Sequence, residues 1–289
     1  MPLSGCARIA GVIGWPVAHS LSPRLHGFWF ERYGIDGTYV PLPVAPADLE
    51  LAFRTLPRLG FRGWNVTLPH KEAAYRLVDE LDETARRMKV VNTVLVDAEG
   101  RTIGSSTDGQ GFIANLDATV PVWRVGQGRA VLLGIGGAAR AVAHALVADG
   151  VTALTLVNRT LQKADALALE LEGTGACDVE VVAWEHRSAA LTEAFLLVNC
   201  TSLGMHGQPE LDLDLEALPV EAVVTDLVYV PLETSLLGRA RSRGNSVVDG
   251  LGMLLHQAVP GFTHWGGVRP EVDADLRACL LQALGRSSG

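Results

Sequence analysis

The segment VLLGIGGAARA carries the most chemically pointed spacing in the chain. Gly134, Gly136 and Ala139 fill the small positions of a G-x-G-x-x-A pattern. Such a pattern serves a tight turn, then close approach of a pyrophosphate to the backbone, then close helix–strand packing. The phosphates rest on the amides and the positive dipole end of the following helix. A ligand-free strand–helix turn needs the same residues, so context matters. Here a predicted strand precedes the turn and a predicted helix follows it. The next apolar run, ALTLVNR, ends in Asn158, Arg159 and Thr160, with Lys163 within a turn of it. A site for an unphosphorylated ribose ends that strand in Asp or Glu. No carboxylate stands here, and a guanidinium can grip a 2′-phosphate with two parallel bonds. NADP is therefore favoured over NAD. In the plainer reading, Arg159 and Lys163 only solvate a helix start.

A second polar set lies in the N-terminal third. GWPVAHSLSPRLH places Ser20 and Ser22 around a bend that enters a helix, where hydroxyls and amides suit an anion or a polyol. Ser22, followed by Pro23, also reads simply as a helix cap. NVTLPHK carries Asn65, Thr67 and Lys71 to the end of a strand, VVNT offers Asn92 and STDG offers Asp108. Open α/β sheets bind ligands at such strand ends. Taken singly, each of these residues also reads as a turn or surface residue.

The elements that must position these residues alternate between strand-like and helix-like, which predicts an α/β fold with mainly parallel sheets. A strand over Arg8–Gly14 leads to a helix that stops at Gly34. TYVPLPV, PADLELAFRTL, GWNVTLP and HKEAAYRLV follow as strand, helix, strand, helix, and two strands then join at a Glu99-Gly100 turn. After Asp108 the pattern restarts. GFIANLDAT is a linking helix and PVWRVGQG a polar connector. A strand–helix–strand–helix run follows, then strands in DVEVVAW, AFLLVNC and VEAVVTDLVY, with SVVDG closing the block. GMLLHQAVPGFTHW and PEVDADLRACLLQAL read as two tail helices, and the final RSSG as a frayed end.

Composition bounds the rest. At 289 residues, 48% of them hydrophobic and 19% charged, the chain is long enough for two domains with real cores. A net charge of −8 disfavours nucleic acid and anionic membranes as partners. Gly, Pro, His or charge interrupts every apolar stretch, so no membrane span is expected. The four scattered cysteines form no C-x-x-C pair, as in a reduced cytoplasmic protein. No histidine sits in a metal-ligand pair, and no metal is expected. His70 reads as a residue that shapes its loop.

Taken in order, GWPVAHSLSPRLH, NVTLPHK, VNT, STDG, GIGGAARA, NRT, NCTSLGM, DLVYVP and DGLGMLLHQ resemble the shikimate dehydrogenase family over nearly the whole chain. The first two motifs and the last are specific; the glycine-rich one is shared by many enzymes. The resemblance implies a discontinuous substrate domain, 1–110 with 250–289, and a Rossmann-type NADP domain, 111–249. It implies NADP-dependent, reversible reduction of 3-dehydroshikimate to shikimate in aromatic amino-acid (chorismate) biosynthesis, by a monomer or homodimer. A quinate or dual quinate/shikimate dehydrogenase is one alternative, and a noncatalytic NADP-binding regulatory protein another.

Carried over residue by residue, the resemblance gives Lys71 and Asp108 as the catalytic pair. Ser20 and Ser22 take the substrate carboxylate, with Tyr229 on that side. Thr67, Lys71, Asn92, Asp108 and Gln257 hold hydroxyls and carbonyl. The cofactor falls to Gly134, Gly136, Gly137, Ala138, Asn158, Arg159, Thr160, Lys163, Thr201, Leu227 and Gly250, with Gly250 near the nicotinamide. Three positions depart from the family pattern. Ile135 stands between the glycines as a spacer. Gly27 follows His26 where Asn is common. Ser106 replaces Asn before Thr107-Asp108, a shorter side chain that removes a possible bond orienting the loop.

Overall fold

The computed structural model describes residues 3–125, 128–173 and 175–287. Gly126 and Gln127 of the expected connector, and Ser288 and Gly289 of the tail, lie outside the described residues. The chain divides into two compact units, 1–107 with 257–289, and 108–256. Asp108 is thus the first residue of the second unit. The cuts fall at 107 and 256, against the expected 110 and 249; the first is set by the helix that starts at Asp108, which packs on the helix over 137–148.

The first unit contains β1 (Arg8–Gly14), α1 (Ser22–Arg32), β2 (Gly37–Pro43), α2 (Leu49–Thr55), β3 (Phe61–Val66) and α3 (Lys71–Leu77). β4 (Glu80–Leu81), α4 (Glu83–Met88), β5 (Thr93–Val96) and β6 (Thr102–Ser105) follow. Its sheet runs β2-β1-β3-β5-β6-β4. β1 pairs in parallel with β2 and β3, while β5 runs antiparallel to both β3 and β6. One face buries Ile13, Trp64, Val66 and Val94 against Leu49, Phe53 and Ala74. The loop joining β5 to β6 closes on Asp97, whose Oδ1 accepts from the amides of Glu99 and Arg101.

Two sequence readings need correction here. Ser22 is not the cap of α1; it is the first helical residue, and the cap position is Leu21, with no side-chain bond. The Ser20 hydroxyl does the capping work by accepting from the Ser22 amide at 3.3 Å. The segment GMLLHQAVPGFTHW is two helices, α9 (Gly250–Gln257) and α10 (Val259–Gly266). Pro260 lies in the first turn of α10, where its missing N–H costs nothing, so the chain restarts a helix there. α11 (Ala274–Ser287) follows.

The second unit contains α5 (Asp108–Thr119), β7 (Arg129–Leu133), α6 (Gly137–Ala148), β8 (Ala153–Asn158), α7 (Leu161–Glu172) and β9 (Asp178–Ala183). β10 (Ala194–Asn199), β11 (Val223–Asp226), α8 (Ser235–Arg243) and β12 (Ser246–Val248) complete it, with most of α9. Every pairing in its sheet, β12-β11-β10-β7-β8-β9, is parallel. A sheet covered on both faces needs apolar residues on both, and β7 shows the result. Ala130 and Leu132 pack with Val142 and Leu167 on one side, Val131 and Leu133 with Leu236 and Leu218 on the other.

An aromatic cage encloses His26 in the first unit. Its ring stacks on Tyr39 at 4.1 Å and touches Trp29, Phe262 and Trp265. The imidazole is fully buried, and burial lowers its pKa from 6.5 to about 3, with Asn65 opposing. The native state therefore refuses a proton that the unfolded chain accepts below pH 6.5. Stability falls as pH drops through that range, by about 1.4 kcal/mol per unit. Between pH 7 and pH 5, wild type should lose about 2 kcal/mol more unfolding free energy than His26→Leu. Urea denaturation at both pH values checks this, and identical losses in the two proteins would refute it.

Candidate active site

On the second unit, β7 runs into the glycine-rich turn and α6 leaves it. Gly134 has φ +83°, a left-handed conformation that glycine adopts without strain, and an added Cβ would lie 2.5 Å from Thr201 Cγ2. Two residues that the sequence assigns to one ligand therefore meet here. Around Gly136 and Gly137 an added Cβ would meet nothing within 4 Å, so the backbone at the start of α6 stands open. Ala138 is exposed beside them. Asn158, at the end of β8, ties the turn to its neighbour. Its Oδ1 accepts from the Ile135 amide at 3.2 Å, and its Nδ2 donates to the Thr160 carbonyl at 2.8 Å. Ile135 itself packs partly into the core.

Arg159, Thr160 and Lys163 are exposed at the start of α7. Arg159 has no hydrogen bond or ion pair among the described residues. Gly134, Gly136, Asn158, Arg159 and Thr201 line a cavity of about 650 Å³, together with Trp184, Arg187 and the 208–212 segment. At the end of β11, Leu227 presents its carbonyl to Gly250, where an added Cβ would lie 2.4 Å from that oxygen. Tyr229 follows in the same unit, and burial pushes its phenol pKa up.

In the first unit the ends of β1 and β3 meet. An added Cβ on Gly14 would stand 2.5 Å from Thr67 Cγ2, and the Trp15 amide donates to the Leu68 carbonyl at 3.1 Å. The segments bearing Ser20 and Thr67 are thereby brought together. Ser22 is buried and Ser20 half-buried. Lys71 opens α3, half-buried, and its carbonyl accepts from the Val91 amide at 3.0 Å, which places it beside Asn92. Asn92 Oδ1 accepts from the Thr107 amide at 2.8 Å, and Thr107 Oγ1 donates to the Gln257 carbonyl at 2.9 Å. Asn92, Thr107 and Gln257 thus form one cluster. Ser106 Oγ is buried with no hydrogen-bond partner among the described residues, so the shortened side chain orients nothing. His70 shapes its loop through a 2.8 Å contact to the Val44 carbonyl.

Residues 12–94 match the model of the shikimate dehydrogenase substrate-binding domain, and residues 118–204 that of shikimate/quinate 5-dehydrogenase. A protein of Paramagnetospirillum magneticum named shikimate dehydrogenase (NADP(+)) is 57% identical over 96% of this chain and 100% of its own length. The chain belongs to the shikimate dehydrogenase family. A shikimate 5-dehydrogenase of Thermus thermophilus, solved with NADP(H) and shikimate, superposes with a TM-score of 0.81 at 38% identity. It covers 96% of this chain and 99% of its own. A quinate dehydrogenase of Corynebacterium glutamicum, solved with NAD, gives 0.88 at 33% identity over 96% and 99%.

The residues on this shikimate dehydrogenase family member fit a phosphorylated dinucleotide. The backbone at the start of α6 is open to phosphate, and an uncommitted guanidinium follows β8 where a carboxylate would repel a 2′-phosphate. No group of three His, Cys, Asp or Glu side chains among the described residues is placed to hold a metal. No helix among them is long and apolar enough to cross a membrane. Sequence reasoning missed Trp184 and Arg187 on the cavity wall, and Asn199 and Asp226 behind it. For the latter two a signal existed: each is a polar residue closing an apolar strand, AFLLVN and VVTD.

Gly134→Ala should lower the stability of the second unit by about 1–3 kcal/mol, since it combines a left-handed conformation with a clash on Thr201. Gly137→Ala, with open space around it, should stay within about 0.5 kcal/mol. Thermal unfolding of both variants checks the contrast, and equal shifts would contradict the packing described.

Proposed function

We propose that the protein catalyses the NADP-dependent, reversible reduction of 3-dehydroshikimate to shikimate, a step of aromatic amino-acid (chorismate) biosynthesis. The observation that carries this reading is the end-to-end likeness, at 57% identity, to a protein named as an NADP-dependent shikimate dehydrogenase. The end of β8 supports the same cofactor, because Arg159 stands where an NAD site carries an acid. Residues 1–110 with 250–289 are assigned to substrate, and 111–249 to NADP. A cytoplasmic setting and a monomer or homodimer belong to the same reading. All four cysteines being free supports a reducing compartment.

Ser20 and Ser22 hold the substrate carboxylate, with Tyr229 on that side. Thr67, Asn92 and Gln257 hold ring hydroxyls and the carbonyl. Protein donors already occupy Asn92 Oδ1. Gly134, Gly136, Gly137, Ala138 and Thr201 face the phosphates. Asn158, Arg159, Thr160 and Lys163 surround the adenosine, and Leu227 and Gly250 border the nicotinamide. When bound, NADPH supplies the hydride to the carbonyl carbon. As negative charge grows on the carbonyl oxygen, Lys71 Nζ donates a proton to it, and in the reverse direction Lys71 takes that proton back. Asp108 supplies the carboxylate that keeps Lys71 charged and oriented.

Purified protein should oxidise shikimate with NADP⁺ far faster than quinate with NAD⁺; the opposite preference would move it to the quinate enzymes. Lys71→Ala should lower kcat about 10²–10⁴-fold and change KM much less, because a general acid acts in the transition state. Near-normal turnover in that variant would end the assignment. Arg159→Ala should weaken NADPH binding about 10–100-fold, the loss of a charge-assisted bond, and leave NADH binding unchanged. Equal losses with the two cofactors would speak against a 2′-phosphate contact.

A further inference from the structure

Asp226 closes β11 and is fully buried, yet no cation among the described residues is bonded to it. Three neutral donors hold its carboxylate. Oδ1 accepts from Asn199 Nδ2 and from the Val228 amide, both at 3.0 Å, and Oδ2 accepts from Thr234 Oγ1 at 2.7 Å. Burial raises its pKa while these donors pull it back down. Asn199, also fully buried, is its neighbour across the sheet at the end of β10. The carbonyl side of that amide accepts from the Thr201 amide at 3.0 Å and from the Thr201 hydroxyl at 2.7 Å. The backbone carbonyl of Asn199 also accepts from the Leu227 amide at 3.0 Å. Asn199 Nδ2 also donates to the Leu203 carbonyl at 3.2 Å, so Asp226 and that carbonyl together fix the amide flip of Asn199, while the same carboxylate ties the start of the Thr201 loop to the turn over Leu227 and Val228. These are the segments against which Gly134 and Gly250 pack with no room for a Cβ.

We propose that Asp226 is a positioning residue for the dinucleotide: through Asn199 it sets Thr201, and through the Val228 amide it sets Leu227 opposite Gly250. The inference rests on the proposed function, which puts Thr201 at the phosphates and Leu227 at the nicotinamide. A buried carboxylate costs free energy unless its acceptors are used; here Oδ1 serves the two segments assigned to the cofactor, and Oδ2 serves Thr234 at the N-cap of α8. A purely structural role would weaken the whole unit. A positioning role splits cofactor from substrate.

The test compares Asp226→Ala with Asp226→Asn, by NADPH titration and by steady-state kinetics in shikimate. Alanine leaves the Val228 amide, the Thr234 hydroxyl and one N–H of Asn199 without their acceptor, so NADPH affinity should fall at least about tenfold, with lower kcat. KM for shikimate, measured at saturating cofactor, should stay within about threefold. Asparagine keeps an oxygen toward Asn199 and Val228, and its amide can donate to Thr234 Oγ1 after the hydroxyl turns, so it should restore near-wild-type values. Should Asp226→Ala fail to fold, Asn199→Asp serves instead. It keeps the acceptor for Thr201 and sets a second carboxylate oxygen against Asp226, and it too should lose at least about tenfold in NADPH affinity. A folded Asp226→Ala or Asn199→Asp that binds NADPH as wild type does would overturn the inference, as would an Asp226→Asn no better than alanine. A wild-type chain that binds no NADPH would sink the proposed function and this inference together.

Discussion

The first unit depends on one relay of buried hydrogen bonds. Tyr39 Oη donates to Asn65 Oδ1 at 2.6 Å; Asn65 Nδ2 reaches the Asn92 carbonyl and Thr93 Oγ1, each at 3.1 Å. Thr93 Oγ1 then donates to Asn92 Oδ1 at 3.1 Å, where the Thr107 amide also arrives, and Thr107 Oγ1 passes on to the carbonyl of Gln257. No hydroxyl has to donate twice, and every member is buried. Satisfied networks of this kind hold one geometry, whereas a single missing partner would leave a buried dipole unpaid. The relay links β2, β3, β5 and the segment after β6 to the last residue of α9, where the chain returns to the first unit. This makes a discontinuous unit cohere, and it fixes the orientation of Asn92 before any ligand arrives.

The second unit solves a parallel problem with different means. Its sheet is parallel and mainly apolar on both faces, and the buried amide and carboxylate side chains Asn199 and Asp226 stand at strand ends, where the loops begin. Asn158 and Asn199 close two of those strands, and each bonds neighbouring loops with both ends of its amide, Asn199 reaching Asp226 as well. The resulting loops carry little freedom of their own. A ligand that meets them finds a surface already shaped, which limits the ordering cost of binding.

Local signals made much of this legible in the sequence. The glycine-rich turn, the strand into it and the basic end of β8 need only neighbouring residues to be recognised. The same locality explains the errors. Ser22 before Pro23 has the residue types of a cap whether it precedes the helix or begins it, and only the backbone settles which. The apolar periodicity of GMLLHQAVPGFTHW continues through Pro260, so the break between α9 and α10 left no mark in the pattern. α8 is hard to read from sequence although Thr234 and Gly244 cap it and Leu236, Leu237 and Ala240 form its buried face, because Arg239, Arg241 and Arg243 crowd a short segment with charge. The relay from Tyr39 to Gln257 was beyond reach for another reason. Its members are scattered over more than two hundred residues, and only the β3–β5 pairing and the return of the tail bring them together.

The most direct measurement is a crystal structure of the protein with shikimate and NADP⁺ bound. The account predicts the shikimate carboxylate on the hydroxyls of Ser20 and Ser22, its reacting C–O oxygen at hydrogen-bond distance from Lys71 Nζ, and the 2′-phosphate on Arg159. Shikimate lodged away from Lys71, or a 2′-phosphate pointing into solvent with Arg159 turned aside, would contradict it.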